Sequence, residues 1–162
     1  MLDLRDNSIT VIKHQFFYHL TSLNTLYLSH NSIHGIEPGS FKQLTNLSTL
    51  DLGHNEIDKL DKGMFTGLKS LLTLIIQYNS INVIDKEAFK PISSTKLLDL
   101  NNNFNFKHVT NGTFHYLNQL ESVYFDRFYM CSYVPKVRLL MFVNCMSMYI
   151  EWCVSLSLCL FV

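Results

Sequence analysis

Three aspartates, Asp3, Asp51 and Asp99, recur at intervals of 48 residues, each inside a Leu-Asp-Leu triplet. Halfway between them, in equivalent places, stand Tyr27 and Ile75, and Tyr124 and Asp126 follow. If the triplets are stacked strands about 4.8 Å apart, carboxylates two strands apart lie about 10 Å from each other. Such a pair can take two basic groups of one ligand, and bidentate pairing favours arginine over lysine. The plainer alternative is that Leu-Asp-Leu is common consensus for a strand with one solvated face. Other chemistry is thin. His30 and His54 occupy equivalent places, with Asp6 one unit before them. Two imidazoles and a distant carboxylate do not close a metal site, and a solvated turn explains them. No Gly-rich phosphate loop, nucleophile elbow or Cys-x-x-Cys pair is present, so no enzyme activity, cofactor or metal is expected.

The element that positions the aspartates is a repeat. Leu47-x-x-Leu50-x-Leu52-x-x-Asn55-x-Ile57-x-x-Leu60, then Phe65-x-x-Leu68, recurs after a shift of 24 residues in either direction. Backwards it gives Leu23, Leu26, Leu28, Asn31 and Phe41; forwards it gives Leu71, Leu74, Ile76, Asn79 and Phe89. This period and consensus are those of a leucine-rich repeat, a stacked solenoid. The expected class is α/β: a horseshoe of about five to six 24-residue units with a parallel concave sheet, followed by a non-repeat hydrophobic C-terminal tail. Within each unit the Leu-x-Leu segment alternates apolar and polar residues, as a half-buried strand does. The residues between and just after the leucines point outward onto the concave face, the latter being Arg5, Ser29, Gly53, Gln77 and Asn101. Asn7, Asn31, Asn55, Asn79 and Asn103 follow the strands, where their amides can satisfy turn backbone groups. Phe17, Phe41, Phe65, Phe89 and Phe114 form a second core column on the convex side.

The ends of the array differ from its middle. The first unit, from Leu2, lacks its opening leucine, and no polar-faced capping unit precedes it; a truncated chain is the expected reason. Met1-Leu2-Asp3-Leu4 has no basic and apolar leader pattern, so no signal peptide is visible. The fifth unit keeps Leu98, Leu100 and Asn103, then slips by one to Phe114, which makes it 25 residues long. Thr95 there fills a leucine slot. The sixth unit begins Leu120-x-x-Val123-x-Phe125, but Phe128 takes the ladder position and the array is expected to end.

The run Val123-Tyr124-Phe125-x-x-Phe128-x-x-Cys131-x-Tyr133-x-Pro135-x-Val137-Arg138 resembles the last repeat and hinge entrance of the relaxin family peptide receptors, which are leucine-rich-repeat G-protein-coupled receptors. The resemblance covers residues 1–138 in architecture and about 115–138 in specific motif. It implies a repeat ectodomain at the extracellular side of the plasma membrane, a low-density-lipoprotein-type module ahead of it and seven membrane helices behind it. It also implies a relaxin- or insulin-like peptide on the concave face, its arginines paired with acidic side chains. On this sequence those would be Asp51 and Asp99 first, then Asp3 and Asp126, with Tyr27 and Tyr124 as aromatic contacts. A G protein would be reached only through the missing seven-helix part, so this fragment, secreted or retained, would bind without signalling. The second reading is an extracellular adhesion or innate-immunity repeat module. An intracellular repeat scaffold is a third.

The resemblance leads to a cysteine two residues after Arg138, paired with Cys131; Leu140 stands there. Cys131 is then unpaired, or pairs with Cys145. Residues 139–162, with Glu151 as their one charge, form the second expected region, after the repeat domain 1–138. Twenty-four residues would span about 36 Å as a helix, enough for a membrane, but a carboxylate near the centre is costly. The other readings are a hydrophobic tail of a short isoform and translated read-through after Arg138. Asn46-Leu47-Ser48 and Asn111-Gly112-Thr113 are glycosylation sequons, Asn111 being the better placed. Zero formal net charge lacks the basic footprint of a nucleic-acid binder.

Overall fold

The structure, a computed structural model, describes residues 1–103 and 112–125 in full and the backbone of Leu140–Val143. Its centre is a parallel sheet of seven short strands, each taken from a successive turn of the chain. These are β1 (Leu2–Asp3), β3 (Thr25–Tyr27), β5 (Thr49–Asp51), β7 (Thr73–Ile75), β9 (Leu97–Asp99), β10 (Ser122–Phe125) and β11 (Leu140–Val143). The central residue of each three-residue strand is buried and its neighbours are half-buried. That is what period-2 alternation over one leucine dictates. Between them lie short outer strands, β2 (Val11–Ile12) paired with β4 (Gly35–Ile36), and β6 (Lys59–Leu60) paired with β8 (Val83–Ile84).

Register follows the repeat. Leu26 faces Leu50, Leu50 faces Leu74, and Leu74 faces Leu98. The 25-residue fifth unit is absorbed between strands, because Leu98 still pairs with Val123. β11 pairs with β10 through Ser122–Leu140 to Phe125–Val143. The sheet therefore extends one strand into the stretch that the sequence sets apart as a hydrophobic tail.

The α part of the expected class shrinks to one turn. Among the described residues the returning segments are turns and two-residue strands, and the one helical element is a 3-10 turn at Lys90–Ile92 that contains Pro91. Gly63 and Gly67, both at positive φ, interrupt the segment where a helix would otherwise propagate. Among the described residues, no helix is long and apolar enough to cross a membrane.

The core is a set of columns. Leu26, Leu50, Leu74 and Leu98 are fully buried, as are Leu28, Leu52, Ile76 and Leu100. Burying each such side chain contributes about 1.5–3 kcal/mol. Phe17 stacks on Phe41 at 6.0 Å, Phe65 on Phe89 at 6.4 Å, and Phe89 on Phe114 at 5.4 Å. Thr95 is fully buried in its leucine slot because its hydroxyl donates to the Leu71 carbonyl at 3.3 Å.

The asparagine ladder ties neighbouring units. The Asn55 amide NH2 donates to the carbonyls of Leu28, Leu52 and Gly53. Its oxygen accepts the Ile33 N–H at 2.9 Å. Asn31 and Asn79 make the same four bonds, and Asn103 repeats them with a longer bond from the Ile81 N–H. One side chain thereby satisfies groups from two turns that would otherwise be buried unpaired.

Candidate functional site

The concave face carries the expected row. Asp3 pairs in register with Tyr27, Tyr27 with Asp51, Asp51 with Ile75, Ile75 with Asp99, and Asp99 with Tyr124. Six residues from six turns thus form one line across the sheet, with Asp51 and Asp99 separated by one strand. Asp126, Asn111, Cys131 and Cys145 lie outside the described residues.

The three carboxylates are held by a shared device. Each accepts the N–H of the residue two further on: Arg5 to Asp3 at 3.1 Å, Gly53 to Asp51 at 2.9 Å, and Asn101 to Asp99 at 3.0 Å. The carboxylate thus satisfies a backbone donor where the strand ends. Asp51 is held twice, since Ser29 donates its hydroxyl to the other oxygen at 2.8 Å. Ser29 is buried, although the sequence places it on the outward face. Its side chain lies under Asp51 rather than open to solvent.

Asp3 is occupied differently. Arg5 binds it through both Nε and a terminal nitrogen, at 2.9 and 2.6 Å. The same guanidinium sits 5.0 Å over the Tyr27 ring. The hydrogen bonds from the Arg5 side chain, then from its backbone, hold the Asp3 carboxyl at about 2. This end of the row therefore contains an arginine–carboxylate–tyrosine arrangement made within the chain.

A second line borders the row. Asp6, His30, His54, Tyr78 and Asn102, each just before a ladder asparagine, all adopt positive φ between 51 and 56°. That conformation lets each of the first four donate its N–H to the next unit, for example His54 to the Gln77 carbonyl at 2.9 Å. Aspartate, asparagine and histidine tolerate this region best among side-chain-bearing residues; Tyr78 does not share that preference. Identical backbone conformation in successive turns brings the rings face to face. His30 lies 4.2 Å from His54, and His54 lies 4.2 Å from Tyr78, with planes 15° and 12° apart. Tyr78 was not evident as a member from its residue type. Position, one residue before each ladder asparagine, is the signal that finds it.

Of the two sequons, Asn46 is described and exposed. Its amide donates to the Thr21 carbonyl at 3.0 Å. Among the described residues, no group of three or more His, Cys, Asp or Glu side chains could hold a metal ion.

Four overlapping stretches, 1–57, 26–79, 45–103 and 71–127, match the family described as Leucine rich repeat. The chain belongs to the leucine-rich-repeat family. A comparison with curated proteins returned no match. Among solved structures, a TLR13–ssRNA13 complex shares 30% identity with a TM-score of 0.74, covering 88% of this chain and 22% of that one. The Toll–Spatzle complex of Drosophila shares 24% identity with a TM-score of 0.67, over 73% of this chain and 16% of that one. The chain thus spans about a fifth of the length of these repeat proteins, and the second likeness is one of fold. With this membership the concave row is a surface of a protein-interaction module.

Proposed function

We propose that this chain is a ligand-binding segment of an extracellular receptor-type repeat domain. Its concave row takes a basic peptide or protein, with Asp51 and Asp99 as the carboxylates and Tyr27 and Tyr124 as flanking aromatic contacts. The observation that carries this is the register line from Asp3 to Tyr124. The Arg5–Asp3–Tyr27 cluster supports it, because it displays the same chemistry within the chain. The acidic row and zero net charge favour a basic polypeptide over a nucleic acid.

The finer reading is a relaxin-like peptide receptor ectodomain, on the strength of the Val123–Arg138 motif, with Asn46 and Asn111 as glycan acceptors on the extracellular side of the plasma membrane. A second reading, an innate-immunity-type module, is supported by the 30% identity to the TLR13 chain over most of this one. The ligand separates the two readings. The test is titration of the purified full chain with a two-chain relaxin-like peptide and with its arginine-to-alanine variant. Micromolar binding that needs those arginines and is lost in an Asp51→Asn/Asp99→Asn double variant is expected. Absence of binding would remove the hormone reading; binding that survives the double variant would remove the row from the site.

A further inference from the structure

On the side away from the concave row, the fourth and fifth units form an open cleft of about 200 Å³ lined by Lys86, Glu87, Gly112, His115 and Tyr116. Its origin is local. Glu87 stands in the same repeat position as Gly63 one unit before and Gly112 one unit after. Both glycines have positive φ, so the carboxylate is flanked on each side by a position without a side chain. Lys62 reaches over from the third unit to Glu87 at 3.1 Å, and Lys90 approaches the same oxygen at 3.9 Å. The Lys90 ammonium also lies 5.8 Å over the Tyr116 ring. His115 donates from Nδ1 to the Gly112 carbonyl and packs against Tyr116, with ring centroids 3.7 Å apart. Glu87 is 26% exposed, and hydrogen bonding from Lys62 holds its carboxyl below the usual carboxylate range.

We propose that this cleft is a binding site for one anionic saccharide unit, a sulfated or uronate-bearing sugar. Size is the first argument. Pockets for drug-sized ligands run to about 300–1,000 Å³, and this cleft is below that range, suited to a single ring. Chemistry is the second. The Tyr116 and His115 rings offer an apolar surface for the C–H face of a sugar. Glu87, ionised and anchored by Lys62, accepts from ring hydroxyls. Lys86 lines the cleft, and its charge acts on Glu87 without an ion pair among the described residues; its ammonium is placed to meet a sulfate or carboxylate. Lys62, Lys86 and Lys90 against Glu87 and Asp85 leave the local balance cationic by one charge, which a neutral sugar would leave unanswered. A free inorganic anion would use the lysines and nothing else.

The test uses the full chain and three probes: a heparin-derived sulfated disaccharide, lactose, and inorganic sulfate, read by saturation-transfer NMR and calorimetry. The sulfated disaccharide is expected to bind, with weaker binding at higher salt. Lactose is expected to bind at least tenfold more weakly. Tyr116→Ala should lower the disaccharide affinity by about tenfold, one ring contact's worth. Lys86→Gln should abolish the preference over lactose. Circular dichroism of both variants checks that the solenoid is retained, and Tyr116→Phe, which keeps the ring, should restore binding if Tyr116→Ala unfolds the unit. Inorganic sulfate competing as well as the disaccharide, with Tyr116→Ala without effect, would overturn the saccharide assignment. So would absence of binding by the sulfated probe.

Discussion

The Ser29 hydroxyl donates to the Asp51 carboxylate at 2.8 Å from the neighbouring strand, while the Gly53 N–H holds its other oxygen at 2.9 Å. Both contacts lie at the base of the concave face. They orient the carboxylate without neutralising it. A carboxylate fixed before a ligand arrives loses less freedom on binding.

Asp51→Asn separates the two roles. An amide oxygen can still accept from Gly53, so the fold survives with a loss of about 1 kcal/mol. The charge proposed to pair with a ligand arginine is gone. Binding of a basic peptide is expected to fall by tenfold or more while the urea midpoint moves slightly. Ser29→Ala should do the reverse in degree, lowering affinity severalfold through a looser carboxylate. Equal affinity losses for a lysine- and an arginine-bearing ligand would argue against bidentate pairing.

The row itself was legible in the sequence because it needs only the period. Residues 24 apart in a solenoid must be neighbours, so Asp51 and Ile75 face each other whatever else happens. The ladder asparagines and the leucine columns were legible for the same reason. What the period does not reveal is where a side chain points when two outward positions compete for one space. Ser29 turns under Asp51, and no local pattern at Ser29 announces it. The equivalent places of His30 and His54 follow from the period, but their face-to-face stacking with Tyr78 depends on a shared positive φ that residue class does not reveal. β11 lies in a run of continuous apolar residues, where no alternation marks a strand.

The asparagine ladder predicts a graded series. Asn55 is buried at 8% exposure and bonds four backbone groups across two units. Asn55→Ala leaves the Ile33 N–H and the turn carbonyls without partners, a cost of about 2–4 kcal/mol. Asn7, exposed in the first unit, donates to the Leu4 and Arg5 carbonyls, and the Leu4 carbonyl also accepts from Asn31. Asn7→Ala should cost less than about 1 kcal/mol. Chemical denaturation compares the two, and equal costs would contradict the ladder as the tie between units.

Gly67 marks a close approach that its neighbours lack. With φ at +101°, a Cβ there would fall 2.5 Å from the Lys42 Cα and carbonyl oxygen. Backbone cannot yield as a side chain can. Gly67→Ala is expected to cost more than about 3 kcal/mol, combining left-handed strain with the clash. Gly39, also at positive φ, has nothing within 4 Å of the same position. Gly39→Ala should cost only the conformational part, about 1 kcal/mol.

Position 54 tests the backbone of the ring column. His54 has φ of 51° and rings on both sides. Asparagine tolerates that conformation and loses only the stacking, so His54→Asn should cost about 1 kcal/mol. A β-branched residue is a true outlier at positive φ. His54→Val should cost about 1–3 kcal/mol more than the asparagine variant. Thermal melts of the pair give the comparison, and similar melting for both would mean that stacking, not backbone conformation, sets the column.

Acid titration addresses the first unit. The Asp3 carboxyl is held at about 2, below its ordinary 3.8, chiefly by hydrogen bonds from the Arg5 side chain and then its backbone. A depressed folded-state value means that the pair favours the folded chain above pH 3.8. That contribution is lost as pH falls through about 2. Carboxyl-detected NMR should show Asp3 titrating with a midpoint near 2. Arg5→Ala removes the side-chain bonds and should return the midpoint most of the way toward 3.8, while the backbone N–H at position 5 keeps a residual depression. A wild-type midpoint near 3.8 would mean that the guanidinium is not held on Asp3 in solution. The Tyr27 ring would then be open, and this end of the row would be available to a ligand rather than occupied from within.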